Sequence, residues 1–300
     1  MNIIKQTYIP GDKWLYIKLY TGYKTADRFL VEELPQILTK LKTKKILNKW
    51  FFIRYSDPNF HLRIRFCVNH KQNLPLLISI LNKSINQYVT QELIWKVQFD
   101  TYQREIERYG YKTIEYAEEI FHIDSITIIQ ILSKLDNDQG DHQRWQIALK
   151  MIDNFLNDFE IDLQGKLNLL IRLSEGYKKE FGFNQQNYKL QLDKKYRSSS
   201  KLIYEIILLT KIKLDWFITF EAILNQKSKV VKRIAKQLIA KNQELEISIS
   251  NLLESYIHMM INRLFRSNQR LSEMVLYDML ERFYSSEVAK IKYNSKNKII

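Results

Sequence analysis

Apolar and charged residues alternate in "HLRIRF" at the start of "HLRIRFCV" (61–68), the period-two pattern of a strand, while "WLYIKLY" (14–20) and "WFFIRY" (50–55) are short aromatic and β-branched stretches of strand character. Between "WFFIRY" and "HLRIRFCV" lies "SDPNF", whose Asp-Pro-Asn is turn chemistry, so they should form a hairpin. Helical spacing takes over in 25–47, through Phe29, Leu30, Leu34, Ile37, Leu38 and Leu41. It returns in 73–91, through Leu76, Leu77, Ile80, Leu81, Ile85 and Tyr88, before a further extended stretch over 93–102. The order β-α-β-β-α-β predicts an N-terminal ferredoxin-like sheet, with helices on one face and the other face available.

From about residue 113 the pattern is helix after helix. "YAEEIFHIDSITIIQILSKL" is read as two helical pieces meeting near Asp124 and Ser125, both cap-forming residues. Further helices are expected over 142–157, 162–181, 201–224, 229–265 and 271–284, with "RSSSK" as the best internal loop and "KIKYNSKNKII" as a solvated end. No repeat stands out. The expected class is α+β: one domain over 1–300, an α/β sheet portion (1–110) packed against a largely helical portion (111–300).

Composition narrows the function classes. With 7 Gly and 4 Pro there is little material for long linkers, and the single Cys67 excludes a disulfide framework or a cysteine-rich metal site. No window reaches the roughly 18–20 apolar residues of a membrane span, and the N-terminus lacks a signal-peptide core, so a soluble, cytoplasmic protein is expected. There is no Walker or dinucleotide glycine loop, no HExxH, no GxSxG and no RNP1-like signature. The five histidines show no metal spacing. No metal, cofactor or direct nucleic-acid contact is therefore expected. The formal charge of +14 favours anionic partners.

Three stretches could carry chemistry. In "HLRIRF", His61, Arg63 and Arg65 share one face. Same-face arginines repel, which water tolerates and a carboxylate or phosphate between them would turn to advantage; the pattern alone fits either a wet strand or an anion site. In "DTYQREIERYG" (100–110), Glu105 and Arg108 share a face if the segment is helical and not if it is extended. In "YIHMMINRLF" (256–265), His258 and Asn262 lie four apart in an apolar helix, where a histidine is either a satisfied core group or a proton carrier.

Taken together and in order, "WLYIKLY", "WFFIRYSDPNFHLRIRF", "TYQREIERYG", "AEEIFHIDS" and "HMMINRLF" resemble the small C-terminal domain of lanthipeptide dehydratases, which also occurs as stand-alone thiopeptide-type bacteriocin biosynthesis proteins. The resemblance spans nearly the whole chain, with "RYSDPNFHLR" and "EIERYG" its most specific parts. Tyr111 stands where the family usually has a second glycine, and Met260 where a second histidine is common. The resemblance implies a lyase that eliminates glutamate from glutamylated Ser or Thr of a precursor peptide, leaving dehydroalanine or dehydrobutyrine. A separate glutamyl-tRNA-dependent subunit would supply the glutamate, and homo-oligomers are compatible with it. It carries over Arg63, Arg65, Arg108 and His258 as catalytic and Glu105 as substrate-binding, and sets His61 aside. Two alternatives stay open: a pyridine synthase joining two dehydroalanines, and a non-catalytic module docking a leader peptide or partner through the basic surface.

Overall fold

The computed structural model describes residues 4–135, 140–182, 186–208 and 215–296. They form an α+β protein with two small antiparallel sheets. The first part runs β1 (Thr7–Tyr8), β2 (Trp14–Thr21), α1 (Tyr23–Arg28), a π-helical turn (Phe29–Glu33), α2 (Leu34–Thr43), β3 (Leu47–Tyr55), β4 (His61–Val68), α3 (Leu74–Thr90), β5 (Ile94–Asp100), β6 (Tyr102–Gln103) and the single-turn α4 (Ile106–Tyr109). Then come α5 (Ile114–Leu132), α6 (Gly140–Asp158), α7 (Leu163–Glu180), α8 (Gln186–Leu208), α9 (Asp215–Ala240), α10 (Ile249–Leu264) and α11 (Gln269–Lys296). Two compact units result: one comprises the chain up to Lys134 together with Lys241–Ser267, the other Leu135–Ala240 together with the chain from Asn268.

In the first unit the four-stranded sheet has the order β3–β4–β2–β5 with every neighbouring pair antiparallel. Period-two alternation splits it into two faces. Leu15, Ile17, Leu19, Phe52, Leu62, Ile64 and Phe66 occupy the apolar face and are almost fully buried. Burial of each such side chain is worth about 1.5–3 kcal/mol. The other face carries Tyr16 and Lys18 of β2, Phe51, Ile53 and Tyr55 of β3, and His61, Arg63 and Arg65 of β4. Arg65 lies opposite Tyr16 and Phe51, and Arg63 opposite Lys18 and Ile53.

Strand β3 is an edge strand, yet its outer side is not bare. Ser125 of α5 accepts from Phe52 N (3.2 Å), and His122 Nδ1 lies 2.8 Å from Trp50 O. From α10, the Asn262 amide accepts from Arg54 N (3.0 Å) and donates to Arg54 O (2.9 Å), while Arg263 Nε donates to Phe52 O (2.8 Å). Helical side chains thus replace a fifth strand at alternate residues 50, 52 and 54. Charge is buried with them: Arg54 Nη2 bonds Asp27 Oδ1 at 2.5 Å, Arg54 Nε bonds Arg263 O at 2.9 Å, and Arg266 Nε reaches the other Asp27 oxygen at 2.5 Å. Burial lowers Arg263 to about 10, opposed by Asp124 at 3.6 Å.

These roles explain where helix boundaries depart from the sequence reading. Helix α5 is continuous through Asp124 and Ser125 because the serine bonds back to Phe121 O (2.7 Å) and outward to β3, and Asp124 faces Arg263. Helix α8 runs through "RSSSK", where the hydroxyls of Ser198 and Ser200 donate to the carbonyls of Lys195 and Arg197. The pattern read over 229–265 is two helices, α9 and α10, with Ser248 capping the second by accepting from Asn251 N (3.3 Å). The stretch read as a solvated tail is helical to Lys296, with Ile291 and Tyr293 exposed, and 297–300 lie outside the described residues. So do 209–214, within the pattern read over 201–224.

The second unit is all helical among the described residues. Asp153 of α6 accepts from Lys166 of α7 (2.8 Å) and Tyr284 of α11 (2.7 Å), pinning three helices at one buried carboxylate.

Truncating Asn262 to alanine strips two bonds from the β3 edge. Unfolding in urea should show a loss of about 1–3 kcal/mol, the cost of orphaned buried backbone groups, with an unchanged m-value; an unaltered midpoint would refute the edge-sealing role.

Candidate active site

The polar face of β4 is built from aromatic supports upward. Arg63 is half-buried; its guanidinium lies over the Tyr55 ring, 3.4 Å from the centroid, and its Nε–H donates to His61 Nε2 at 2.9 Å. His61 Nδ1 sits 2.8 Å from the Asn59 carbonyl. A carbonyl only accepts, so Nδ1 carries the proton and Nε2 offers its lone pair to Arg63; the ring is neutral. Burial pushes the His61 pKa down, the Asn59 carbonyl opposes this, and the Arg63 and Lys18 charges reinforce it. Tyr20 stacks on the same imidazole, with centroids 4.6 Å apart.

Arg65 is 8% exposed and boxed by aromatic rings: Tyr16 at 4.3 Å, Tyr102 at 5.0 Å and Phe51 at 5.3 Å from its guanidinium carbon. Its Nε–H finds no acceptor among the described residues. Tyr102 is fixed in turn, donating to Glu118 at 3.0 Å, and Glu118 is clamped by Arg104 through two bonds of 2.7 and 2.9 Å. That fork-on-fork pairing compensates a carboxylate with no solvent exposure. Burial, followed by the Glu118 charge, raises the Tyr102 phenol well above its usual range.

A cavity of about 20 Å³ opens beside Arg65, with Gln103, Glu105, Tyr109 and Met259 in its wall. The segment 100–110 is extended through β6 and helical only over α4; Glu105 immediately precedes α4, and its carboxylate lies 3.6 Å from Arg108 Nη1 one turn on. Gly110 ends the turn at φ 75°, where an added Cβ would meet Thr113 Oγ1 at 2.8 Å. Arg108 Nε donates to Ser255 of α10 at 3.1 Å. Positions 255, 258 and 262 form one stripe of that helix: Ser255 meets Arg108, Asn262 meets β3, and the half-buried His258 lies between them. Its chain neighbour Met259 shares the cavity wall with Arg65.

The structure therefore gathers Arg65 and Glu105 on one cavity, links Arg108 to Glu105 and to α10, and sets Arg63 one pleat further along β4. His258 is brought in by its helix. All five lie in the first unit. Among the described residues no cluster of His, Cys, Asp or Glu has metal-binding geometry, and no helix is long and apolar enough to cross a membrane.

Residues 14–284 match the family model described as lantibiotic biosynthesis dehydratase C-term. The chain belongs to this family. It is 26% identical over 293 residues to the nisin biosynthesis protein NisB of Lactococcus lactis subsp. lactis, covering 96% of this chain and 27% of that protein. It thus spans about a quarter of the length of the curated relatives it matches. Among solved structures it is similar to the tRNA-dependent lantibiotic dehydratase MibB from Microbispora sp. 107891, with a TM-score of 0.70 at 19% identity over 91% of this chain and 28% of that one. It is similar also to TbtD, the pyridine synthase from thiomuracin biosynthesis, with a TM-score of 0.65 at 11% identity over 93% and 100% of the two chains. At these identities both likenesses show the fold alone.

For this lantibiotic-dehydratase-family chain, sequence reasoning passed over the supports of the three arginines: Tyr55 and, above all, His61 for Arg63, Tyr16 and Tyr102 for Arg65, and Ser255 for Arg108. Period two placed His61 on the right face, but its bond to Arg63 depends on a side-chain direction that spacing does not encode. Only Ser255, three residues before His258 on one helix, was recoverable from spacing.

A depressed histidine pKa has a defined consequence. The unfolded chain binds the proton near the ordinary value of about 6.5 while folded His61 stays neutral, so its contribution is present above that pH and lost as pH falls through it. His61→Gln keeps an acceptor for Arg63 but cannot titrate. Urea midpoints measured from about pH 7.5 to 5.5 should fall less steeply in this variant than in the wild type, and parallel curves would contradict a neutral buried His61.

Proposed function

We propose that this chain catalyses the elimination half of a tRNA-dependent dehydration, removing glutamate from glutamylated Ser or Thr of a precursor peptide. The observation that carries this reading is the pairing of opposite charges on one small site: a buried, ring-boxed Arg65 with a spare N–H, and Glu105 across the same cavity. A glutamyl group offers the matching ends, a carboxylate and an ammonium.

In this reading Arg63, Arg65 and Arg108 hold the glutamyl carboxylate and stabilise negative charge building on the carbonyl next to Cα. Glu105 pairs with the ammonium. The enclosed volume admits only a water-sized group, so the glutamyl chain is placed along the more open Arg63, Arg108 and Glu105, with its tip reaching Arg65. The Cα–H bond breaks, its electron pair forms the Cα=Cβ bond, and the Cβ–O bond opens as glutamate leaves as a carboxylate. His258 moves a proton in that sequence, a role typically worth about 10²–10⁴-fold. Tight aromatic support of Arg63 and Arg65 favours the reading, since a preorganised donor pays no reorganisation at the moment of reaction.

The same proposal assigns the glutamylation step to a separate subunit and treats 1–300 as one elimination-type functional unit. The strand order β3–β4–β2–β5 supports a ferredoxin-like class for the N-terminal sheet. A pyridine synthase shares the fold, but two-component cyclisation of dehydroalanines has no need of a carboxylate-and-ammonium site.

Incubating the protein with a glutamylated Ser peptide should release free glutamate and a product lighter by that loss, read by mass spectrometry. Arg65→Ala should slow release by about 10²–10³-fold, the usual cost of removing one preorganised donor. Arg63→Ala, Arg108→Ala and His258→Ala should each leave glutamylated peptide accumulating. Undiminished elimination in all four variants would sink the assignment; cyclised product without glutamate release would favour the pyridine synthase reading.

A further inference from the structure

The two edges of the four-stranded sheet are treated differently. Side chains of α5 and α10 seal β3, whereas no strand among the described residues pairs with the outer side of β5. Along β5, Trp95, Val97 and Phe99 are 56%, 40% and 43% exposed. Beside it, β5 and α3 border an apolar groove of about 260 Å³ whose walls include Val97, Phe99, Ile78 and Val89. Natural sheets blunt such edges with proline, a bulge or a covering element. Here 94–100 contains no proline, and the bulge of β5, with Trp95 as the extra residue facing Tyr20/Thr21, lies at the start of the strand and leaves 96–100 regular.

We propose that β5 pairs antiparallel with β5 of a second copy of this chain, about a two-fold axis at Gln98, joining two sheets of four strands into one continuous sheet. The strand is complementary to itself in that register. Lys96 of one copy lies opposite Asp100 of the other, Val97 opposite Phe99, and Gln98 opposite its own counterpart. An opposite-charge pair and an aromatic–β-branched pair are both favourable cross-strand neighbours. A slip of one residue would put the apolar positions on the polar face. Centring the axis on Val97 leaves Lys96 opposite Gln98, and centring it on Lys96 sets the two lysines against each other. Charge therefore selects the Gln98 register. Asp100 already holds Lys18 within its own chain, and a carboxylate accepts several donors. With the axis normal to the sheet, both α3 helices fall on the same side, and each groove is bordered by the other copy's strand.

The register makes a specific test available, because the native cysteine, Cys67, is buried. Gln98→Cys should form an intermolecular disulfide under mild oxidation, since its counterpart is the nearest residue across the axis. Lys96→Cys, whose counterpart lies four residues away along the facing strand, should not. Light scattering on the unmodified protein should report the mass of two chains. Phe99→Lys should shift it to one chain, with an unchanged circular dichroism spectrum showing that the fold persists. A single-chain mass for the wild type at every concentration, or equal cross-linking of the two cysteine variants, would overturn the proposal.

Discussion

The fold of the first unit depends on how the outer edge of β3 is satisfied. An unpaired strand edge leaves N–H and C=O groups that must find partners wherever water is excluded. Here the partners are Ser125 and His122 on α5 and Asn262 and Arg263 on α10. Those bonds are directional, so they fix the position and rotation of both helices against the sheet. Apolar packing alone would tolerate small rotations, while two bonds from one amide to one residue, as between Asn262 and Arg54, do not. The candidate site inherits this constraint, because Ser255, His258 and Met259 ride on the same helix.

A hierarchy of support follows. Glu118 and Arg104 fix Tyr102, Tyr102 helps box Arg65, and Ser255 and Glu105 hold Arg108. His61, kept neutral by burial and by the nearby Arg63 and Lys18 charges, takes one donor of Arg63 and leaves the guanidinium's remaining N–H groups for other work. Each arginine is oriented by something other than its own backbone. That arrangement suits recognition of a planar anion, for which a guanidinium must arrive in a set direction.

Much of the fold was legible in the chain. Period two located β4, short aromatic and β-branched stretches located β2 and β3, Asp-Pro-Asn marked the hairpin, and helical spacing found α3, α6 and α7 closely. One misreading ran two helices, α9 and α10, together; others fell where polar residues sit inside helices. Asp124, Ser125 and the serines of "RSSSK" look like caps or loops from propensity. In the structure Asp124 faces Arg263, Ser125 bonds β3, and Ser198 and Ser200 each donate to a helix carbonyl. The resemblance in "EIERYG" and "HMMINR" pointed to Glu105, Arg108 and His258, while the residues that hold them came from other strands and helices.

The sequence by itself determined the two faces of β4, since alternation is a local consequence of the pleat and Arg63 and Arg65 could only lie together. It also determined the self-complementary charge pattern of β5. Tertiary structure decided the rest: that Tyr16 and Tyr55 would lie beneath the two arginines, that His61 would serve Arg63, and that Asn262 would bond β3. These depend on strand order and register, and contacts between residues two hundred positions apart are set by packing that no local pattern records.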